Sequence, residues 1–209
     1  MKQTSHLNFS TALSKLRLEW KVRFISITEV LKNLIVSNLC RRRSVSPLTA
    51  VQTFKRKAVR AVIMTPNHRV LLMKLQEPVT GFQVWITPGG GLEPGESEEE
   101  GLRREVAEET GARNFRLGPP IWTRKHEFSW NGRSYRQNEV YYLVQADYFD
   151  PVMDVEAAPG EASAFRGFHW WPIDAIARSA EKFAPRNLHC LLENISKNGL
   201  PDKPIPVGA

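Results

Sequence analysis

Residues 90–112 read GGLEPGESEEEGLRREVAEETGA, and three of their carboxylates fall at helical spacing. Glu105, Glu108 and Glu109 stand at i, i+3 and i+4, so an α-helix places all three on one face. Neighbouring like charges repel, and each i,i+4 carboxylate pair costs a helix a few tenths of a kcal/mol. A hard divalent cation reverses that penalty, because Mg²⁺ prefers carboxylate oxygens and retains waters and substrate phosphates in its shell. The flanking residues prepare a helix. Pro94-Gly95 makes a turn, Ser97 is the expected N-cap, and Glu100 stands three residues on, as in a capping box. Glu98, Glu99 and Glu100 then occupy the first turn, where the helix dipole favours negative charge. Leu102 and Val106 form an apolar i,i+4 pair that can face a core, and Gly111 supplies a C-terminal stop.

The same stretch resembles the Nudix box, in which a Gly is followed at fixed spacing by Glu, Arg-Glu, an aliphatic residue, Glu-Glu and Gly. Here the positions are Gly90, Glu96, Arg104, Glu105, Val106, Glu108, Glu109 and Gly111. The closing aliphatic position holds Ala112, smaller than is usual, while every charged position is intact. The plain alternative is a solvated acidic helix. The resemblance implies an α+β fold, a Nudix-type α/β/α sandwich around a mixed sheet. It also implies Mg²⁺-dependent attack of water on the diphosphate of a nucleoside diphosphate linked to another moiety, with Mn²⁺ as a substitute ion. By the same resemblance Glu105, Glu108 and Glu109 hold the metal, joined by the backbone carbonyl of Gly90. Arg104 keeps the carboxylates in register, and Glu96 orients Arg104 or reaches a second metal through water. Glu96 can equally be a simple acid at a helix start.

The general base is open at this stage. Glu108 in the box is one candidate and Glu161, on a loop beyond it, is another. Glu127 and Glu139 lie in expected strands, where carboxylates more often face water or pair with Arg136 or Arg124. For a base-stacking platform Phe82, Trp122, Trp130, Tyr135, Trp170 and Trp171 are available, and each is more often a core residue. Trp85 is expected in the core. Substrate signatures of the family do not select among nucleoside triphosphates, nucleotide sugars and ADP-ribose. The alternative from another class is a non-catalytic nucleotide-binding regulatory module on the same fold. Such members usually lose box carboxylates, which this chain keeps.

Working outward, the 209 residues suit one domain with an appendage. The net charge of +7 is unevenly placed. Residues 1–50 hold nine Lys/Arg and two acids, whereas residues 51–209 hold 20 of each. The basic excess therefore belongs to the leader, and the domain is not expected to bind a nucleic acid polymer. Within residues 1–53, Trp20, Phe24, Ile27, Leu31 and Leu34 recur at helical spacing, predicting an amphipathic helix over about residues 14–39. A targeting segment, a packing helix and an over-long gene start all fit it. No apolar run approaches the ~20 residues of a transmembrane helix. Cys40 and Cys190 form no CxxC pattern, so neither a zinc site nor a disulfide framework is indicated and a cytoplasmic setting is expected. The expected partner is a small-molecule nucleotide, and a homodimer is compatible with the sequence.

The catalytic domain is expected over residues 54–200. Strands are predicted at Lys57–Met64, Val70–Leu75 and Phe82–Thr87, the last running into Pro88-Gly89-Gly90-Gly91. Beyond the box, Ile121–Trp130 and Tyr135–Asp147 read as strands joined by an Asn131-Gly132 hairpin turn. Phe168–Trp171 reads as a short strand, and helices are predicted from Pro172 and over about Pro185–Asn198. In the tail, residues 201–209, Pro201, Pro204 and Pro206 are expected to end regular structure.

Overall fold

The structure, a computed structural model, describes residues 52–156 and 162–208. The expected leader helix and Glu161 lie outside the described residues. The elements run β1 (Thr53–Met64), β2 (Arg69–Gln76), β3 (Gln83–Ile86), α1 (Glu98–Thr110), β4 (Arg116–Trp130) and β5 (Arg133–Gln145). They continue with β6 (Phe165–Pro172), α2 (Ile173–Arg178), β7 (Phe183–Ala184), α3 (Leu188–Asn198) and β8 (Ile205–Val207).

These strands form one mixed sheet in the order β7-β3-β2-β1-β5-β4-β8, with β6 also paired to β2. β1 and β5 are parallel over twelve residues, from Thr53↔Ser134 to Met64↔Gln145. Side-chain alternation along β1 sends Val59, Ala61 and Ile63 to one face and Val62 and Met64 to the other. The first set packs with Leu71, Val144 and Trp170 beneath Leu102 and Val106 of α1. The second packs with Val70, Leu72, Trp122, Tyr141 and Leu143 beneath Ile176 of α2 and Leu188, Leu192 and Ile195 of α3. The sheet is thus covered by α1 on one face and by α2 and α3 on the other, which is the expected α/β/α sandwich.

One irregularity positions the site. β1 and β2 are joined only at Met64↔Val70, after which β2 pairs β3 and β6 instead. The edge of β1 from Lys57 to Ala61 is left for another partner, and the loop Pro88–Leu92 fills it. Ala61 N donates to Pro88 O at 2.8 Å, Val59 N to Gly90 O at 3.0 Å, and Leu92 N to Lys57 O at 3.1 Å. Backbone groups that would otherwise be buried unpaired thereby bind the glycine loop to the sheet.

The tail differs from the sequence expectation. Despite Pro204 and Pro206, Ile205–Val207 forms a strand parallel to β4, with Trp122↔Ile205 and Arg124↔Val207. Proline is tolerated there because β8 is an edge strand, so its missing N–H can face outward. β4 also begins five residues earlier than predicted, with register shifts on either side of Pro120. The hairpin tip is as expected, with Asn131 at φ 48° and Gly132 at φ 70°.

Candidate active site

α1 starts where the sequence places it. Ser97 Oγ accepts from Glu100 N at 3.3 Å, while Glu100 Oε2 accepts from Ser97 N at 3.0 Å, completing the capping box. Gly111 closes the helix at φ 73°. Leu102 and Val106 are fully buried, which fixes the helix rotation and turns Glu105 and Glu109 toward the glycine loop.

Within the loop, Gly89 has no room for a side chain and Gly90 lies tight against Glu105. Gly89 has φ 126°, and a Cβ there would stand 2.2 Å from Val59 O; a Cβ on Gly90 would stand 2.6 Å from Glu105 Oε1. Gly101, one turn before Glu105 on α1, is a third such contact: its Cβ would meet Leu92 Cδ2 at 2.4 Å and Glu96 Oε2 at 3.0 Å. Helix, loop and preceding turn are in van der Waals contact around the carboxylates.

Arg104 gathers the acids. Its Nε and Nη2 donate to the two oxygens of Glu96 at 2.8 and 2.9 Å, a bidentate clamp. Nη1 donates to Glu105 Oε1 at 2.9 Å and to Glu108 Oε2 at 3.3 Å, and Nη2 also reaches Gly91 O at 3.1 Å. Glu109 accepts the Gly89 N–H at 2.5 Å. The Glu96 bonds first, and then Glu105, raise the Arg104 pKa, so the guanidinium stays charged. The hydrogen bond from Arg104 holds Glu96 below the ordinary carboxylate range. Glu96, Arg104, Glu105 and Glu108 converge in the structure, and Glu109 of α1 bonds the glycine loop beside them.

Their chemistry fits a hard cation, since the donors are carboxylate oxygens brought to one arginine and one glycine loop. Among the described residues, no three His, Cys, Asp or Glu groups stand close enough to chelate an ion as they are. Arg104 Nη1 bonds oxygens of Glu105 and Glu108, and Gly89 N–H bonds one of Glu109. Gly90 O already accepts from Val59 N, and a carbonyl has a second lone pair for a metal.

Glu139 is not a solvated strand acid. It is 2% exposed and accepts from Arg60 Nε at 2.9 Å, Gln137 Nε2 at 2.6 Å, Tyr141 Oη at 2.8 Å and Arg124 Nη1 at 3.3 Å. His126 Nε2 lies 3.2 Å away but out of hydrogen-bond alignment. Burial pushes the Glu139 pKa up; Arg60 and His126 outweigh it and hold the carboxyl far below the usual range. Glu127 is an exposed acid paired with Arg136 at 2.6 Å.

The aromatic candidates separate. Trp85, Trp122 and Trp170 are core residues, Trp171 packs against Trp85 with centroids 5.4 Å apart, and Phe82 is 53% exposed. Tyr135 belongs to a row of rings that the sequence did not reveal, with Phe54 at 5.7 Å and Phe128 at 5.3 Å. Two open clefts of about 510 and 480 Å³ share His68 and Ser196 and contain none of the box residues. No helix among the described residues is long and apolar enough to cross a membrane.

A family model described as NUDIX domain matches residues 54–192. The chain belongs to the Nudix family. Among curated relatives, this Nudix chain is similar to an RNA pyrophosphohydrolase of Rhodopseudomonas palustris, 30% identical over 105 residues. That match spans 46% of this chain and 63% of the relative, so just under two thirds of the relative's length is represented. A nucleoside triphosphatase NudI of an Enterobacter species is 40% identical over 60 residues, covering 28% of this chain and 43% of that one. Among solved structures, a MutT NUDIX hydrolase from Burkholderia pseudomallei superposes with a TM-score of 0.50 at 22% identity, over 68% of this chain and 98% of that one. This last likeness shows the shared fold.

Proposed function

We propose that this Nudix chain hydrolyses a phosphoric anhydride bond of a nucleotide. In this reading Glu105, Glu108 and Glu109 hold a divalent cation, Mg²⁺ or Mn²⁺ in its place. The observation that carries the reading is the gathering of Glu96, Glu105 and Glu108 about one guanidinium, with Glu109 bonded to the adjoining glycine loop at Gly89. Such a bound ion supplies neutralisation of the phosphate oxygens and a lowered pKa for the attacking water. The protein's own residues do the rest. Arg104, tethered to Glu96, keeps the carboxylates facing one point, so that little reorganisation remains at the reaction step. Glu105 and Glu109 are the buried, firmly placed donors; Glu108, with its side chain 28% exposed, is best able to take a proton from water at a carboxylate oxygen. Glu161 remains the outside candidate for that proton, on a stretch beyond the described residues. The curated relatives' names, RNA pyrophosphohydrolase and nucleoside triphosphatase, support a substrate with a phosphoric anhydride bond.

The test is a hydrolysis screen with and without Mg²⁺ over nucleoside triphosphates, 5′-triphosphorylated RNA, nucleotide sugars and ADP-ribose, reading phosphate and pyrophosphate release. On the substrate found, Glu109→Gln is expected to lower kcat by about a hundredfold or more, the scale for losing one group that stabilises transition-state charge. Its melting temperature should move by only a few degrees. Unchanged Mg²⁺-dependent turnover in Glu109→Gln overturns the site.

A further inference from the structure

Gly89 is held through both of its polar groups from opposite faces of the sheet. Its N–H donates to Glu109 on the α1 side. Its carbonyl accepts from Arg60 Nη1, and Arg60 lies on the α2 and α3 side, in line with Val62 and Met64 along β1. Arg60 is in turn fixed through Glu139 Oε1 at 2.9 Å, an oxygen that also accepts from Gln137, while Tyr141 and Arg124 bond the other carboxylate oxygen, away from Arg60. Burial works against the Arg60 charge, but Glu139, Tyr141 and Glu109 outweigh it and raise its pKa. The next residue, Gly90, lies directly against Glu105. A shift of the loop by a fraction of an ångström therefore moves the partner of Glu109 and the wall behind Glu105 together.

Resting on the metal reading above, we infer that Arg60 and Glu139 are positioning residues for the cation site: a buried ion pair on the far face of the sheet that sets the Gly89–Gly90 loop and, through it, Glu105 and Glu109. Neither touches substrate or the reacting atoms. Structural partners of this kind commonly change metal affinity or activity by about 10–100-fold when removed. Burying two charges is costly unless they are well paired and hydrogen-bonded, and Glu139 meets that condition with four aligned donors. The pair also explains why a carboxylate stands in the middle of a strand whose neighbours Tyr141 and Leu143 are core residues.

The same network contains its own control. Arg124 bonds the same Glu139 and otherwise reaches Gly208 O at 3.2 Å, with no bond to the loop. Mn²⁺ binding without substrate, read by electron paramagnetic resonance, and kcat with Mg²⁺ are measured for Arg60→Lys and Arg124→Lys. Arg60→Lys is expected to weaken Mn²⁺ binding about tenfold and to lower kcat by a similar factor with little change in KM. Arg124→Lys is expected to lower the melting temperature comparably while leaving Mn²⁺ binding within about twofold. Equal effects in the two variants, or unchanged Mn²⁺ binding in Arg60→Lys, overturn the inference. Should Arg60→Lys not fold, amide exchange in the wild type decides: Gly89 is expected to be protected like the β1 amides, and exchange as fast as that of the exposed Gly95 overturns it. Wild-type protein that binds no Mn²⁺ and hydrolyses no nucleotide overturns the metal reading itself, a result distinct from both.

Discussion

At the scale of single residues, two carboxylates close in sequence type have opposite environments. Glu108 sits on the open side of its helix, shares Arg104 with Glu105, and keeps contact with solvent. Glu139 is enclosed, and Arg60 and His126 beside it outweigh the burial that would otherwise favour its neutral form. The consequence for acid stability has a definite sign. The folded-state pKa of Glu139 is depressed, so its contribution is full above the unfolded carboxylate value of about 4.3 and is lost as pH falls below it toward the folded value. Glu139→Gln strands two buried guanidinium groups and should cost about 3 kcal/mol at pH 7. In urea unfolding, the gap between this variant and the wild type should be unchanged from pH 7 to about pH 5 and should narrow below about pH 4. A gap that widens on acidification would show that Glu139 is protonated in the native protein.

Among the elements, α1 carries most of the site and also most of its electrostatic tension. Six glutamates lie within Glu98–Thr110, and the last turn has no basic residue. Its stability rests on the capping box, on the first-turn acids aligned with the dipole, on Arg104, and on the buried Leu102 and Val106. Tyr142 on β5 adds a bond from its hydroxyl to Glu98 at 2.6 Å, tying the helix start to the sheet. Ser97→Ala removes the cap acceptor and is expected to lower stability by about 1 kcal/mol. Because the cap lies at the end of the helix away from Glu108 and Glu109, Mg²⁺-dependent turnover at 25 °C should stay near wild type. Thermal melting and a turnover assay on the same preparation check both halves.

Over the whole molecule, the sheet is parted between β1 and β2, and the glycine loop occupies the gap. The closing strand β8 is the other feature of this scale. Val207 is 8% exposed and packs in the core cluster beneath α2 and α3, and Gly208 O accepts from Arg124 Nε. Ending the chain at Lys203 exposes that part of the core. Removing a buried valine's worth of apolar contact costs about 2 kcal/mol, which for a domain of this size should lower the melting temperature by roughly 5 °C. A truncated protein that melts at the wild-type temperature would mean that β8 is not integral to the sheet.

The sequence by itself determined the helix of the site, with its cap, its stop and its buried face, because capping and 3.6-residue periodicity are local interactions. It also determined the Asn131-Gly132 turn and the convergence of Glu96, Arg104, Glu105 and Glu108, which lie within thirteen residues of one another. Only the tertiary structure decided what faces these residues. Gly89 and Glu109 are 20 residues apart, and Arg60 and Glu139 are 79 apart, so nothing in local spacing relates them. The pairing of Glu139 with Arg124 is among the sequence expectations, but its burial is not, because a single sequence shows alternation but not which face a neighbouring helix will cover. The tail read as irregular because its prolines exclude a central strand, while the open edge of β4 that accepts Ile205–Val207 exists only once β4 and β5 have paired.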